Sequence, residues 1–188
     1  EKNTPSPPHP GAGPAILVDA AAEPSRLKAL IGNYEVGAVI TTHRHQDHTG
    51  ALADIINMTG AQPWCGEPDA EAIEATTGVT CSTVWDGDLF RLGDVKLDVI
   101  GLVGHTRGSI ALRLQGNPSD HVLTGDSLFP GGVGKTSGSR EFESLYTDIC
   151  MKIFAPMSDT TVIHPGHGDA TTVGEERPNL PLWRARGW

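Results

Sequence analysis

The sequence predicts an α/β domain, and three observations carry that expectation. Short, uniformly apolar runs such as "AILVDA" and "VGAVITT" have the length and composition of buried strands. Segments with apolar residues at helical spacing, several stopped by glycine, lie between and after such runs. From Val84 onward the apolar period changes to alternation, as strands with one wet face require. The 188 residues suit one medium domain over 15–188, able to bury about two-thirds of its unfolded surface without cross-links.

Residues 1–14 hold five prolines and two glycines, a composition that cannot form a helix and predicts a loop or tail. Residues 15–20 then form a buried strand. "PSRLKALIG" is a helix with Leu27, Leu30 and Ile31 on one face and Gly32 as its stop, and "VGAVITT" is a second buried strand. "GALADIINMTG" and "PDAEAIEATTG" are helices ended by Gly60 and Gly78. Val95, Leu97 and Val99 alternate with Lys96 and Asp98, and Ile110, Leu112 and Leu114 alternate likewise, so these two strands are expected as antiparallel neighbours. "HVLTGDSLF" is a strand running into a loop, and "PGGVGKTSGS" is too rich in glycine to be anything but loop. A helix over 140–154 gathers Phe142, Leu145, Tyr146, Ile149 and Ile153 on one face. "TTVIH" is the last strand expected, and Thr172 with Glu175 forms a capping box for a final helical turn before Pro178.

Composition narrows the function. Cys65, Cys81 and Cys150 are odd in number and widely spaced, which disfavours a disulfide framework and fits small buried thiols in a reducing, cytoplasmic setting. A net charge of −9 argues against a nucleic-acid partner, whose phosphates select basic surfaces. No apolar run reaches the length of a membrane span, and the first residues lack the hydrophobic stretch of a signal peptide.

The chemistry is concentrated in "THRHQDH". His43 and His45, two apart on extended backbone, project to one side and reach one ion, while Asp47 and His48 in the following bend point to a neighbouring position. Three later loops each add one ligand: His105 in "VGHTRGS", Asp126 in "LTGDSLF" and His167 in "HPGHGD". Five imidazoles and two carboxylates suit two divalent ions, zinc first and iron or manganese next, better than calcium or magnesium. His43, His45 and His105 would hold one ion, Asp47, His48 and His167 the second, with Asp126 spanning both.

"THRHQDH", "GHTRGS", "TGDSLF" and "PGHG", in this order, resemble the ordered motifs of the metallo-β-lactamase superfamily. "TGDSLFPGGVGKT" and "PGHGDATTVGEER" are further similar to its glyoxalase II-like hydrolases. The resemblance spans about residues 16–177. It implies an αβ/βα sandwich, two mixed sheets face to face with helices outside, and a dinuclear site at one edge held by the seven residues above. It also implies a strand hairpin before "ILVD", where this sequence has only the Pro-rich segment, and the helical glutathione-binding domain of larger glyoxalase II enzymes is not expected within these 188 residues.

Paired cations lower the pKa of bound water and yield hydroxide at neutral pH, which attacks a carbonyl polarised by one of them. The expected activity is therefore hydrolysis of a small thioester such as an S-acyl-glutathione, with Asp47 orienting the nucleophile and Asp126 bridging. The resemblance places Lys135 where a basic residue faces the glutathione carboxylate; the plainer reading is an exposed loop lysine. A mononuclear-iron, persulfide dioxygenase-like enzyme and a lactone hydrolase are the alternatives. A non-catalytic metal staple fits less well, because such sites saturate with four ligands, frequently cysteines. Other polar residues take plain roles: His9 solvated, His121 in a turn, His164 packed or hydrogen-bonded behind the ligands, Thr106 and Ser109 tying down backbone.

Overall fold

The computed structural model describes residues 13–187. Nearly all of the Pro-rich segment, with His9, lies outside the described residues, as does Trp188.

The first half of the chain alternates strands and helices. β1 (Ala15–Val18), α1 (Pro24–Ile31), β2 (Val36–Thr41), α2 (Gln46–Thr49), α3 (Leu52–Thr59), β3 (Gln62–Gly66), α4 (Ala70–Thr77) and β4 (Ser82–Val84) follow in order. The strands form a four-stranded sheet in sequence order, all parallel, because each connection carries helix and returns the chain to the same end. β3 has no counterpart in the sequence reading. Its "QPWCG" has no apolar alternation and contains a proline, yet it pairs on both edges, with Pro63 opposite Val39.

The second half is built from neighbouring antiparallel strands. β5 (Leu89–Leu92), β6 (Val95–Gly101), β7 (Ile110–Leu114) and β8 (His121–Gly125) pair in succession, and Gly93-Asp94 makes the two-residue turn that sets Leu92 opposite Val95. β9 (Leu128–Phe129), at the end of "HVLTGDSLF", and β10 (Gly132–Val133), inside the glycine-rich segment expected to be loop throughout, make a small hairpin. α5 (Ser139–Ile149) runs on through a π-helical turn at Cys150–Phe154, so the predicted helix over 140–154 is present. β11 (Val162–Pro165) pairs parallel with β8, and β12 (Thr171–Thr172) closes a six-stranded sheet ordered β12-β11-β8-β7-β6-β5. The capping box at Thr172 and Glu175 forms and opens α6 (Val173–Glu176). A further helix, α7 (Leu180–Arg186), lies past the expected end; Pro178 and Pro181 mask it in sequence, though proline is tolerated in a first helical turn.

Three apolar layers hold the sandwich together. Between the sheets lie Ala38 and Ile40 from β2, Val84 from β4, and Phe90, Leu97, Val99, Ile110 and Leu112 from β5, β6 and β7. The opposite face of β2 joins Leu52 and Ile55 of α3 and Ile73 of α4. The outer face of the second sheet, with Ile100, Ala111, Val122 and Ile163, packs under Phe142, Leu145 and Ile149 of α5 and Trp183 of α7. The αβ/βα sandwich expected from the motifs is therefore present, although its first sheet is all parallel rather than mixed, and two further adjustments apply. The wet face predicted for β6 ends at Asp98, since Ile100 is covered by the helical layer. Leu30 is 53% exposed rather than inward, because α1 touches the core only through Leu27 and Ile31.

This arrangement brings the ends of β2, β6, β8 and β11 to one rim. Leu112 is fully buried between the sheets. Leu112→Ala is expected to lower unfolding free energy by about 2–5 kcal/mol, read from urea denaturation.

Candidate metal centre

β2 ends at Thr41, the chain bends through residues 42–44 rather than continuing extended as the sequence predicts, and His45 precedes α2 in extended conformation. His43 and His45 thus project from a bent segment, whereas Asp47 and His48 project from the helical turn. Thr42 fixes this crossing: its N–H donates to Asp19 Oδ1 at 2.7 Å, its hydroxyl donates to Asp19 Oδ2 at 2.8 Å, and its carbonyl accepts from the Ile110 N–H at 2.9 Å. The last of these bonds joins one sheet to the other.

The seven predicted residues gather into two groups. In the first, His45 Nδ1 lies 2.9 Å and His43 Nε2 lies 3.3 Å from His105 Nε2. In the second, His167 Nε2 lies 3.2 Å from His48 Nε2 and 3.1 Å from Asp47 Oδ2, and Asp126 Oδ1 lies 3.2 Å from His48 Nε2. Asp126 also faces the first group, with Oδ2 3.9 Å from His105 Nε2, while the same oxygen lies 3.7 Å from His167 Nε2 within the second. Nitrogens bound tetrahedrally to zinc at 2.0–2.1 Å stand about 3.3 Å apart, so the imidazole separations are those of ligands around a common ion. Asp126 Oδ1 is buried and makes no hydrogen bond, the His48 contact being out of line. A buried carboxylate oxygen without a hydrogen bond, placed among imidazole nitrogens, suits a metal cation. The residues present fit a pair of divalent ions.

The atoms behind the ligands set which nitrogen is offered. His48 Nδ1 donates to Asp19 Oδ2 at 2.8 Å, and His105 Nδ1 donates to the Lys135 carbonyl at 2.7 Å, so Nε2 of each is left for coordination. Asp69, 0% exposed, accepts from the Arg44 N–H, the Thr106 hydroxyl and the Gly108 N–H, and so ties the His43 loop to the His105 loop. Ser109 Oγ accepts from the Thr106 N–H and meets its hydroxyl, the backbone-fixing role expected for this pair. Gly166 completes the enclosure, since a Cβ there would collide with Asp126 Oδ1 and His48 Cε1.

Asp19 and Asp69 were not singled out from the sequence. Asp19 carried one signal, an acidic residue closing a buried apolar strand with φ 59 in the structure. Asp69, in "GEPDA", carried none. Lys135 has an exposed side chain and contributes its backbone carbonyl, a role that no residue type encodes. His121 begins β8 rather than occupying a turn, and its Nδ1 lies 2.9 Å from His164 Nε2; the two rings stack on each other outside both ligand groups. The three cysteines are free.

Electrostatics separate the imidazoles. Burial, and then the neighbouring His48, His105 and His45, push the His43 pKa down to about 2, which keeps that ring neutral and its lone pair available. Burial and then His105 lower His45 as well. Burial also opposes charge on His48, but the Asp126 carboxylate beside it and the hydrogen bond to Asp19 outweigh it and raise the pKa to about 10. Burial opposes ionisation of Asp126, and the His48 contact overcomes it, holding the carboxyl below its usual range.

A model of the metallo-beta-lactamase superfamily matches residues 11–173, and the chain belongs to that superfamily. Among curated proteins it is 27% identical to hydroxyacylglutathione hydrolase GloC of Haemophilus influenzae, over 92% of this chain and 88% of that protein. Among solved structures it is similar to the BLEG-1 B3 metallo-beta-lactamase, at TM-score 0.77 and 22% identity over 91% of this chain and 89% of that one. It is also similar to TTHA1623 in a di-iron-bound form, at TM-score 0.70 and 25% identity over 88% and 87% of the two chains.

With protein groups alone around it, His48 stays protonated at neutral pH and must lose that proton to ligate. Its raised pKa stabilises the metal-free fold fully below about 6.5, the unfolded value, and this contribution is lost as pH rises through about 10. Calorimetric titration of chelator-treated protein with zinc at pH 7.5, in buffers of different ionisation enthalpy, is expected to show about one proton released at the second position. Asp19→Asn is expected to weaken that position by about 10- to 100-fold, measured by competition with a chromogenic chelator.

Proposed function

We propose that this protein is a metal-dependent hydrolase of small thioesters, of which S-acyl conjugates of glutathione or a comparable thiol are the expected class. The position of Asp126 carries this reading: its carboxylate lies between the two ligand groups, with one oxygen buried and unbonded. Similarity to GloC over most of both chains supports the thioester class. When bound, a pair of divalent ions supplies an activated water and an electrophile for the scissile carbonyl.

The protein residues set the geometry for that chemistry. Asp126, with an oxygen toward each group, would offer its carboxylate to both positions. Asp47, exposed at the mouth, orients the attacking water, and its contact with His167 keeps its carboxylate turned toward the centre. Asp19 and the Lys135 carbonyl hold their imidazoles in one tautomer, so the centre need not reorganise as charge develops. Zinc is the proposed native metal from the imidazole-rich donor set, with iron next. A mononuclear iron centre acting on persulfides accounts less well for the second group, in which Asp47, His48, Asp126 and His167 all converge.

A panel of small thioesters, an acyl lactone and a persulfide, assayed with zinc-, iron- and manganese-loaded protein, separates these readings. Thioester cleavage by the two-metal form is the expected result; oxygen uptake on a persulfide with one iron per chain would reverse it. Asp126→Ala is expected to keep the fold by circular dichroism, to lose one ion, and to reduce turnover beyond the roughly 10- to 100-fold typical of residues behind the ligands.

A further inference from the structure

A cleft of about 510 Å³ opens at His105, on the first-ion side of the centre, and three guanidinium groups line it: Arg44, Arg107 and Arg140. The chain has 23 acidic against 14 basic residues, and several of its cations are paired with carboxylates, among them Arg26, Arg113, Lys152, Arg177 and Arg184. Among the described residues, Arg107 and Arg140 have neither an ion-pair nor a side-chain hydrogen-bond partner, although both are exposed to the same cleft. Arg44 lies 3.9 Å from Asp69, whose oxygens already accept hydrogen bonds from Thr106 and Gly108.

The first turn of α5 opens on the same cleft. Its N-cap, Gly138, provides no side-chain cap, and Ser137, Arg140, Glu141 and Ser144 around that turn face the cleft. Glu141 is the one acidic residue among the lining side chains. Its carboxylate lies by Gly138, at the start of α5, and offsets part of the positive charge there. Repulsion from a net charge of −9 would otherwise hold an anionic substrate off this surface, so a local cluster of unpaired guanidinium groups beside the ligands has a specific consequence.

We infer that this cleft is an anion subsite that takes a carboxylate or phosphate carried on the thiol half of the substrate. Planar guanidinium forks match both groups, and the exposure of Arg107 and Arg140 lets them close on either. Lys135, although next to His105 through its carbonyl, is not among the residues lining the cleft. The inference rests on the thioester-hydrolase reading for its substrate, and on the cleft alone for the binding of an anion.

The test uses metal-loaded protein and three thioesters that share an acetyl group: S-acetyl-N-acetylcysteamine, which is neutral, S-acetylglutathione, which carries carboxylates, and S-acetyl-phosphopantetheine, which carries a phosphate. At least one anionic ester is expected to show a kcat/KM about tenfold above the neutral one, and which of the two does so identifies the group recognised. The double variant Arg107→Ala/Arg140→Ala is expected to abolish that preference mainly through KM, with partial rescue by lysine at both positions and a stronger preference in Glu141→Gln. Equal kcat/KM for neutral and anionic esters, or a preference that survives the double variant, overturns the subsite. Calorimetric binding of the matching S-methyl thioethers, which cannot be hydrolysed, separates the two ideas. Arginine-dependent binding of an anionic thioether without turnover of any ester would keep the subsite and reject the thioesterase. Turnover with arginine-independent binding would do the reverse.

Discussion

The candidate metal centre depends on a carboxylate that lies outside both ligand groups. Asp69 is wholly buried at the start of α4 and accepts hydrogen bonds from two loops that belong to different sheets, one carrying His43 and His45 and the other His105. A buried acceptor of this kind is costly if left unbonded, so the two loops are drawn to it and to each other. The Ile110 to Thr42 hydrogen bond runs across the same seam. Separated loops become one rim because the polar groups of that seam are satisfied only when it is closed.

The ligands themselves divide into neutral and charged halves. The first group is three imidazoles, and burial with mutual proximity keeps His43 and His45 short of protons. The second contains Asp47 and Asp126, and its one buried imidazole, His48, is flanked by Asp19 and Asp126. An ion in the first position would keep its full charge against neutral ligands, whereas one in the second would be partly neutralised. The two positions would therefore differ in electrophilic character even if both held the same element.

How much of this could be read from the sequence follows from where the information resides. The ligands announce themselves because imidazole and carboxylate at that density have few other uses, and the strands that carry them are apolar runs of unmistakable length. Asp69 was invisible because a single acidic residue in a helix-opening segment looks like a favourable first-turn charge. β3 was invisible because its pairing is dictated by the strands on either side rather than by its own composition. α7 was hidden behind two prolines that a helix tolerates only at its start. Leu30 was misplaced because helical spacing shows that residues share a face, not how deeply that face is set into the core.

Gly166 gives the rim a polarity. On the His167 side the backbone passes so close to Asp126 and His48 that no side chain fits, and that wall cannot be remodelled without disturbing coordination. On the His105 side the surface is bordered by long, exposed side chains that can be exchanged with little effect on packing. Divergence in what such a protein accepts is then channelled to one flank: the chemistry is anchored by a residue with no side chain, and selectivity is left free to drift on the other.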